Sequence, residues 1–167
     1  GDLTDNYNPS NKVLSLSDAT YNQTNVAAIG VAAHECGHAM QHAKGYAPIS
    51  VRNALVPFAN WGSRLSWILI IVGILFYGNG TGQTLLDLGI IAFSLAVLFQ
   101  LVTLPVEFNA SGRAFRVLES TGIFGNTELK YTKKVLGAAA LTYVAAAASS
   151  ILQLLRLVIL FGGRNDD

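Results

Sequence analysis

Hydrophobic and polar positions divide unevenly along this chain. Residues 1–25 are polar, with Asn, Asp, Ser and Thr throughout. Within them, Lys12-Val13-Leu14-Ser15-Leu16-Ser17 alternates with the period of a half-exposed strand. Pro9, among Asn and Ser residues, reads as the turn before it. From Asn25 to Ala43 the pattern becomes helical. Thr24 or Asn25 is placed to cap its start, and Gly45 follows its end. Small apolar residues run nearly all round this helix, which predicts a buried element.

Two long apolar stretches come later. Leu85–Leu104 carries Asp87 near its start and Gln100, and Val135–Leu160 carries Arg156 as its only charge. A bilayer-spanning helix needs roughly 20 mostly apolar residues, and both stretches qualify. Leu65–Tyr77 is shorter; extended back to Ala54 it reaches spanning length, but Pro57 and Arg64 interrupt it. The pattern predicts that Leu65–Tyr77 and Leu85–Leu104 form a membrane hairpin joined by Gly78-Asn79-Gly80-Thr81-Gly82. Gly137–Ser150, rich in Ala, Ser and Gly, suits close helix approach in a membrane or simply helix propensity. The rival reading, a soluble all-helical bundle, fits long uncharged runs less well.

Loop charge orients these spans. Arg113, Arg116, Lys130, Lys133 and Lys134 lie between Pro105 and Lys134, while Gly78–Thr84 has no basic residue. The positive-inside rule therefore expects residues 105–134, and with them 1–60, on the cytoplasmic side.

Composition sharpens the picture. Of 167 residues, 51% are hydrophobic and 13% charged, against about 25% charged in a typical soluble domain. That excludes a disordered chain. A net charge of +1 excludes a nucleic-acid binder resting on a basic surface, and a single cysteine excludes a disulfide framework.

The candidate chemistry lies in His34-Glu35-Cys36-Gly37-His38, an H-E-x-x-H pattern inside the expected helix. Positions i and i+4 share a helix face, so two imidazoles can hold one Zn²⁺. Glu35, beside them, can take a proton from an attacking water. His42 lies roughly 12 Å along the axis from His34 and is expected at the surface or behind the ligands. Cys36 points away from the pair and reads as a small buried hydrophobe rather than a ligand.

A catalytic zinc takes three protein ligands, so a third must come from elsewhere. The candidates are Asp87, Glu107, Glu119 and Glu128. Asp87 falls on the far side of the membrane in this topology, and Glu119 and Glu128 look solvent-exposed. Glu107 is the best choice: it follows the second span on the side of the His helix, where it is expected to begin a new helix. Its alternative role is a charge favoured at a helix N-terminus. Asn109 and Ser111 read as capping or packing residues, or as hydrogen-bond partners of a ligand. The strand Lys12–Ser17 is either an ordinary edge strand or a rail along which a substrate adds as a strand.

The runs Leu3–Pro9, Asn11–Ser17, Val31–Ala43, Leu104–Ser111 and Ala138–Ala147 resemble the YugP-like zinc-dependent membrane proteases. The resemblance covers nearly the whole chain, and the His-Glu helix and Val106-Glu107-Phe108 are specific. It implies a neutral zinc metallopeptidase of a bacterial cell membrane. It carries the zinc ligands onto His34, His38 and Glu107, and the catalytic carboxylate onto Glu35. Family members start with a further apolar segment, so this chain is expected to be truncated. Ser111 stands where zinc proteases commonly place an Asp four residues after the ligand Glu.

The architecture expected is mainly α: an integral multi-pass helical protein with a zincin-like, specifically gluzincin-like, helix and a short N-terminal β-strand or hairpin. Residues 1–167 would form a single membrane-embedded domain. Its parts are the strand and His-Glu helix (1–60), a membrane hairpin (65–104), the third-ligand helix with its basic segment (105–134) and a last span (135–161). The function expected is zinc-dependent endopeptidase activity on peptides or proteins, membrane proteins among them, at the cytoplasmic face of the bilayer. Its rivals are a non-proteolytic zinc-binding membrane protein and a metal-free membrane scaffold or chaperone. No nucleic acid is expected as a partner, and no oligomeric state follows.

Overall fold

The computed structural model describes residues 4–162. The chain runs β1 (Asn6–Asn8), β2 (Val13–Ser15), α1 (Asp18–Tyr21), α2 (Val26–Ala43), α3 (Ala47–Leu75), α4 (Gly80–Thr121) and α5 (Asn126–Phe161). It is a mainly helical protein with a short antiparallel hairpin at its start. It divides into two compact units: Gly1–Ser50 with Leu104–Tyr143, and Val51–Thr103 with Val144–Asp167.

The first unit begins with the hairpin, in which Tyr7 faces Leu14 and Asn8 faces Val13. The strand is shorter than the alternating run, because Leu16 and Ser17 lie past the end of the pairing. Asn side chains build the turn: Asn8 Oδ1 accepts from the Ser10 N–H and Asn11 Oδ1 from the Val13 N–H. Asp5 closes the base, accepting from both the backbone N–H and the hydroxyl of Ser17.

α2 starts where its cap predicts, with Asn25 Oδ1 accepting from the Ala28 N–H. It ends at Lys44. Gly45, at φ 61°, takes the left-handed position, and the Tyr46 N–H reaches back to the Gln41 carbonyl. Val106, Ala110, Ala114 and Leu118 recur every fourth residue of α4 and are all buried. This stripe is small at its centre, and there α2 comes closest. A Cβ on Gly37 would run into the carbonyl oxygen of Ala110.

The second unit packs Ile70, Leu86 and Leu157 together, with Ile90, Phe93 and Phe161 around them. Gly89 lets α3 and α4 approach, since a Cβ there would lie 2.7 Å from the Ile70 side chain. Large apolar side chains on all three helices point outward; Leu75 is 76% exposed, Ile91 62% and Ile159 80%. Such an outer face suits lipid rather than water. α3, α4 and α5 are each long and apolar enough to cross a membrane.

Three boundaries differ from the sequence pattern. α3 begins at Ala47 and runs through Pro57 and Arg64, which interrupt the apolar pattern but not the helix. α4 is one helix through Pro105, so Glu107 sits inside it rather than at the start of a new one. Proline removes one hydrogen bond of the ladder, and long packed helices tolerate that loss where neighbours support them. α5 begins at Asn126, not near Val135, because Lys130, Lys133 and Lys134 continue the helix as a charged first part.

Candidate metal centre

α2 carries His34 and His38 one turn apart, with ring centroids 4.8 Å apart and the planes nearly perpendicular. Opposite them, α4 carries Glu107, 2% exposed. Its Oε2 lies 3.0 Å from His34 Nε2 and 3.5 Å from His38 Nε2. Among the described residues these three form the one group of His, Cys, Asp or Glu whose ligand atoms converge, all within 4.8 Å of one another.

The donor set fits zinc. Two imidazoles and a carboxylate are its common ligands, and a tetrahedron with bonds of about 2.0–2.1 Å has edges of about 3.3 Å. The two nitrogen–oxygen distances bracket that edge. The imidazoles are also turned the right way. Gln41, fully buried, donates from Nε2 to the Val106 carbonyl at 2.7 Å. A carbonyl only accepts, which settles the amide orientation and leaves Oε1 facing His38 Nδ1 at 3.0 Å. His38 Nδ1 therefore donates, and Nε2 is the nitrogen turned to the cluster. His34 Nδ1 meets Ser111 Oγ at 3.0 Å, leaving its Nε2 for the cluster as well. Such outer partners fix ring orientation and basicity in metal sites. Ser111 thus makes the contact that an Asp would make elsewhere.

Beyond this layer, Gln41 Nε2 also reaches Asn109 Oδ1 at 3.1 Å, which accepts from Arg113 Nε at 2.7 Å. Arg113 in turn lies over the Tyr46 ring. The network ties α2 to α4 behind the cluster. Asn109 therefore acts two contacts away from His38, through Gln41.

Glu35 is buried on the other side of the histidine pair. Burial pushes its carboxyl up from the usual carboxylate range, while His38 and His34 pull it down less strongly. For His38, burial is the largest single influence and favours the neutral ring, but the hydrogen bond and charge of Glu107, the hydrogen bond to Gln41 and the charge of Glu35 together raise the imidazole overall. His34, Glu35, Glu107 and Ser111 line one cavity of about 190 Å³, whose other walls come mainly from α5.

The remaining candidates fall outside the cluster. Asp87 is exposed and accepts from Gln83. Glu119 and Glu128 are exposed, and so is Cys36. His42 bonds through Nδ1 to the Tyr7 hydroxyl at 2.8 Å, tying the hairpin to α2. Sequence reading missed Gln41 and Asp5. Gln41 stands three residues after His38 on the same face, a spacing that could have flagged it. Asp5, on the cavity wall, carries no local signal.

With this geometry in view, relatives can be compared. Residues 1–162 match the family described as "Putative neutral zinc metallopeptidase". The chain is 46% identical over 168 residues to the Bacillus subtilis (strain 168) protein named "Putative membrane protease YugP", covering 100% of this chain and 73% of the relative. No solved structure matches.

Proposed function

Since the chain belongs to the neutral zinc metallopeptidase family, we propose that it hydrolyses peptide bonds with one zinc ion held by His34, His38 and Glu107. The observation that carries this reading is the convergence of those three side chains, from two helices, beside the buried carboxylate of Glu35. Bound zinc supplies Lewis acidity, which acidifies water and polarises a carbonyl. The chain supplies the rest. Glu35 accepts the proton of the attacking water and passes it to the departing amine. Its raised basicity serves that task. Ser111 and Gln41 hold the two imidazoles with Nε2 presented. The Tyr7–His42 bond keeps the hairpin beside α2, and the Asp5–Ser17 pair closes its base.

The same reading places the centre at the cytoplasmic face of a bacterial membrane. Arg113, Arg116, Lys130, Lys133 and Lys134 flank the α4–α5 connection, whereas the α3–α4 connection has no basic residue. The substrates are peptides or protein segments that reach that face. The hairpin has two strands, so each keeps one unpaired edge along which an extended peptide can add.

The test is Glu35→Gln in detergent-purified protein. Zinc should stay near one equivalent while cleavage of a casein-type substrate is lost. Unchanged cleavage would overturn the mechanism, and absence of zinc from the unaltered protein would overturn the enzyme reading.

A further inference from the structure

The cavity that holds the metal cluster continues past it into an apolar recess. Val31 of α2 and Val135, Leu136 and Ala140 of α5 form its walls, with Ala139 and Tyr143 beside them. Leu136 and Ala140 are buried, whereas Ala139 is exposed at the edge. The whole cavity, with the side of it that the metal cluster lines, measures about 190 Å³. All of these residues belong to the first unit.

Two features define what fits. The lining has no Lys or Arg, and its three acidic groups are Asp5, Glu35 and Glu107. An acidic side chain set among Val31, Val135, Leu136 and Ala140 would lose its water against aliphatic walls with no basic side chain to pair with, a costly placement. An apolar one would lose water against aliphatic walls. The apolar walls and the metal cluster line one cavity. Consecutive Cα atoms are about 3.8 Å apart, and Glu35 and Glu107 line the same space. A peptide bond set beside Glu35 therefore puts a flanking side chain into the recess.

We propose that this recess is the specificity pocket of the enzyme, receiving a small to medium apolar side chain from a residue that flanks the scissile bond, and rejecting Asp and Glu there. The proposal rests on the proteolytic reading above. Leu136 sets its depth and Ala139 its mouth.

The experiment uses the full chain, zinc-loaded, in detergent. Two peptides differing only in the flanking residue, Ala in one and Leu in the other, are cleaved in competition, with Asp and Phe versions as further arms. The ratio of kcat/KM values within one preparation does not depend on how much of it is folded. The unaltered protein should cleave the Leu peptide at least 10-fold better than the Asp peptide, within the roughly 10- to 200-fold range that pocket contacts provide. Ala139→Leu should move the Leu-to-Ala ratio toward Ala by about 10-fold, with zinc content unchanged. Leu136→Ala should raise the Phe-to-Leu ratio. Cleavage with ratios unmoved in both variants would overturn the pocket assignment alone. No cleavage of any peptide by zinc-loaded protein would overturn the proteolytic reading, and the pocket with it.

Discussion

Glycine inside a helix is normally a cost, and replacing it with Ala is worth about 0.5–1 kcal/mol of stability. α2 contains two interior glycines for which the structure gives opposite expectations. At Gly30 a Cβ would lie 3.5 Å from the Thr132 methyl, an ordinary contact. Gly30→Ala should therefore stabilise by roughly the propensity gain. At Gly37 a Cβ would meet the Ala110 carbonyl oxygen, and would stand 2.9 Å from its carbon and 3.1 Å from the Ala110 Cα. Non-bonded carbons rest about 3.5–4.0 Å apart, so α2 and α4 must part locally by roughly half an ångström or more. Overpacking of this kind costs about 1–3 kcal/mol, which exceeds the propensity gain. Gly37 lies between His34 and His38, and Ala110 is three residues from Glu107. The same parting moves the ligand set by more than the ~0.2 Å that zinc coordination tolerates. If misalignment costs only about 1.4 kcal/mol, zinc affinity falls about tenfold. Thermal unfolding of the metal-free protein in detergent, with zinc titration against a competing chelator, reads both quantities. The reasoning is refuted if Gly37→Ala unfolds at or above the temperature of the unaltered protein and binds zinc equally well.

Other expectations follow from the same geometry. Glu107→Ala should abolish stoichiometric zinc retention on a desalting column, whereas Glu119→Ala, at an exposed position, should retain it. Gln41→Leu keeps a similar volume but leaves His38 Nδ1 without its acceptor; zinc affinity should drop about 10- to 100-fold, measured by chelator competition. Proton competition should also be visible. His38 is pushed above its ordinary value of about 6.5 in the metal-free protein, so its proton opposes zinc from above that pH downward. Apparent affinity, titrated at stepped pH, should be highest on the alkaline side and already declining as pH falls toward 6.5; constancy from pH 8 to 6 would contradict His38 as a ligand.

Much of this arrangement was legible in the sequence, for identifiable reasons. The His34–His38 spacing and the Asn25 cap are local features, and local rules govern them. Glu107 stood out because a carboxylate beside an apolar run is costly without a partner. The new helix expected to begin at Glu107 did not appear, and α3 includes Pro57, because a proline's local penalty is outweighed by packing along a long helix. The first part of α5 escaped notice for the opposite reason. A search for apolar runs does not see Lys130, Lys133 and Lys134, although their spacing places them on one helical face. Gln41, Asp5 and Gly37 depend on what α4 and the hairpin bring to them, and no spacing along the chain encodes that meeting.

The central claim is that two imidazoles and one carboxylate of this chain hold a zinc ion. X-ray absorption at the zinc edge of the purified protein tests it directly. The account predicts about one zinc per chain, with nitrogen and oxygen neighbours at about 2.0–2.2 Å and two imidazole signatures. A thiolate sulfur neighbour at about 2.3 Å, for which Cys36 is the chain's single cysteine, or a preparation without bound zinc, would contradict it.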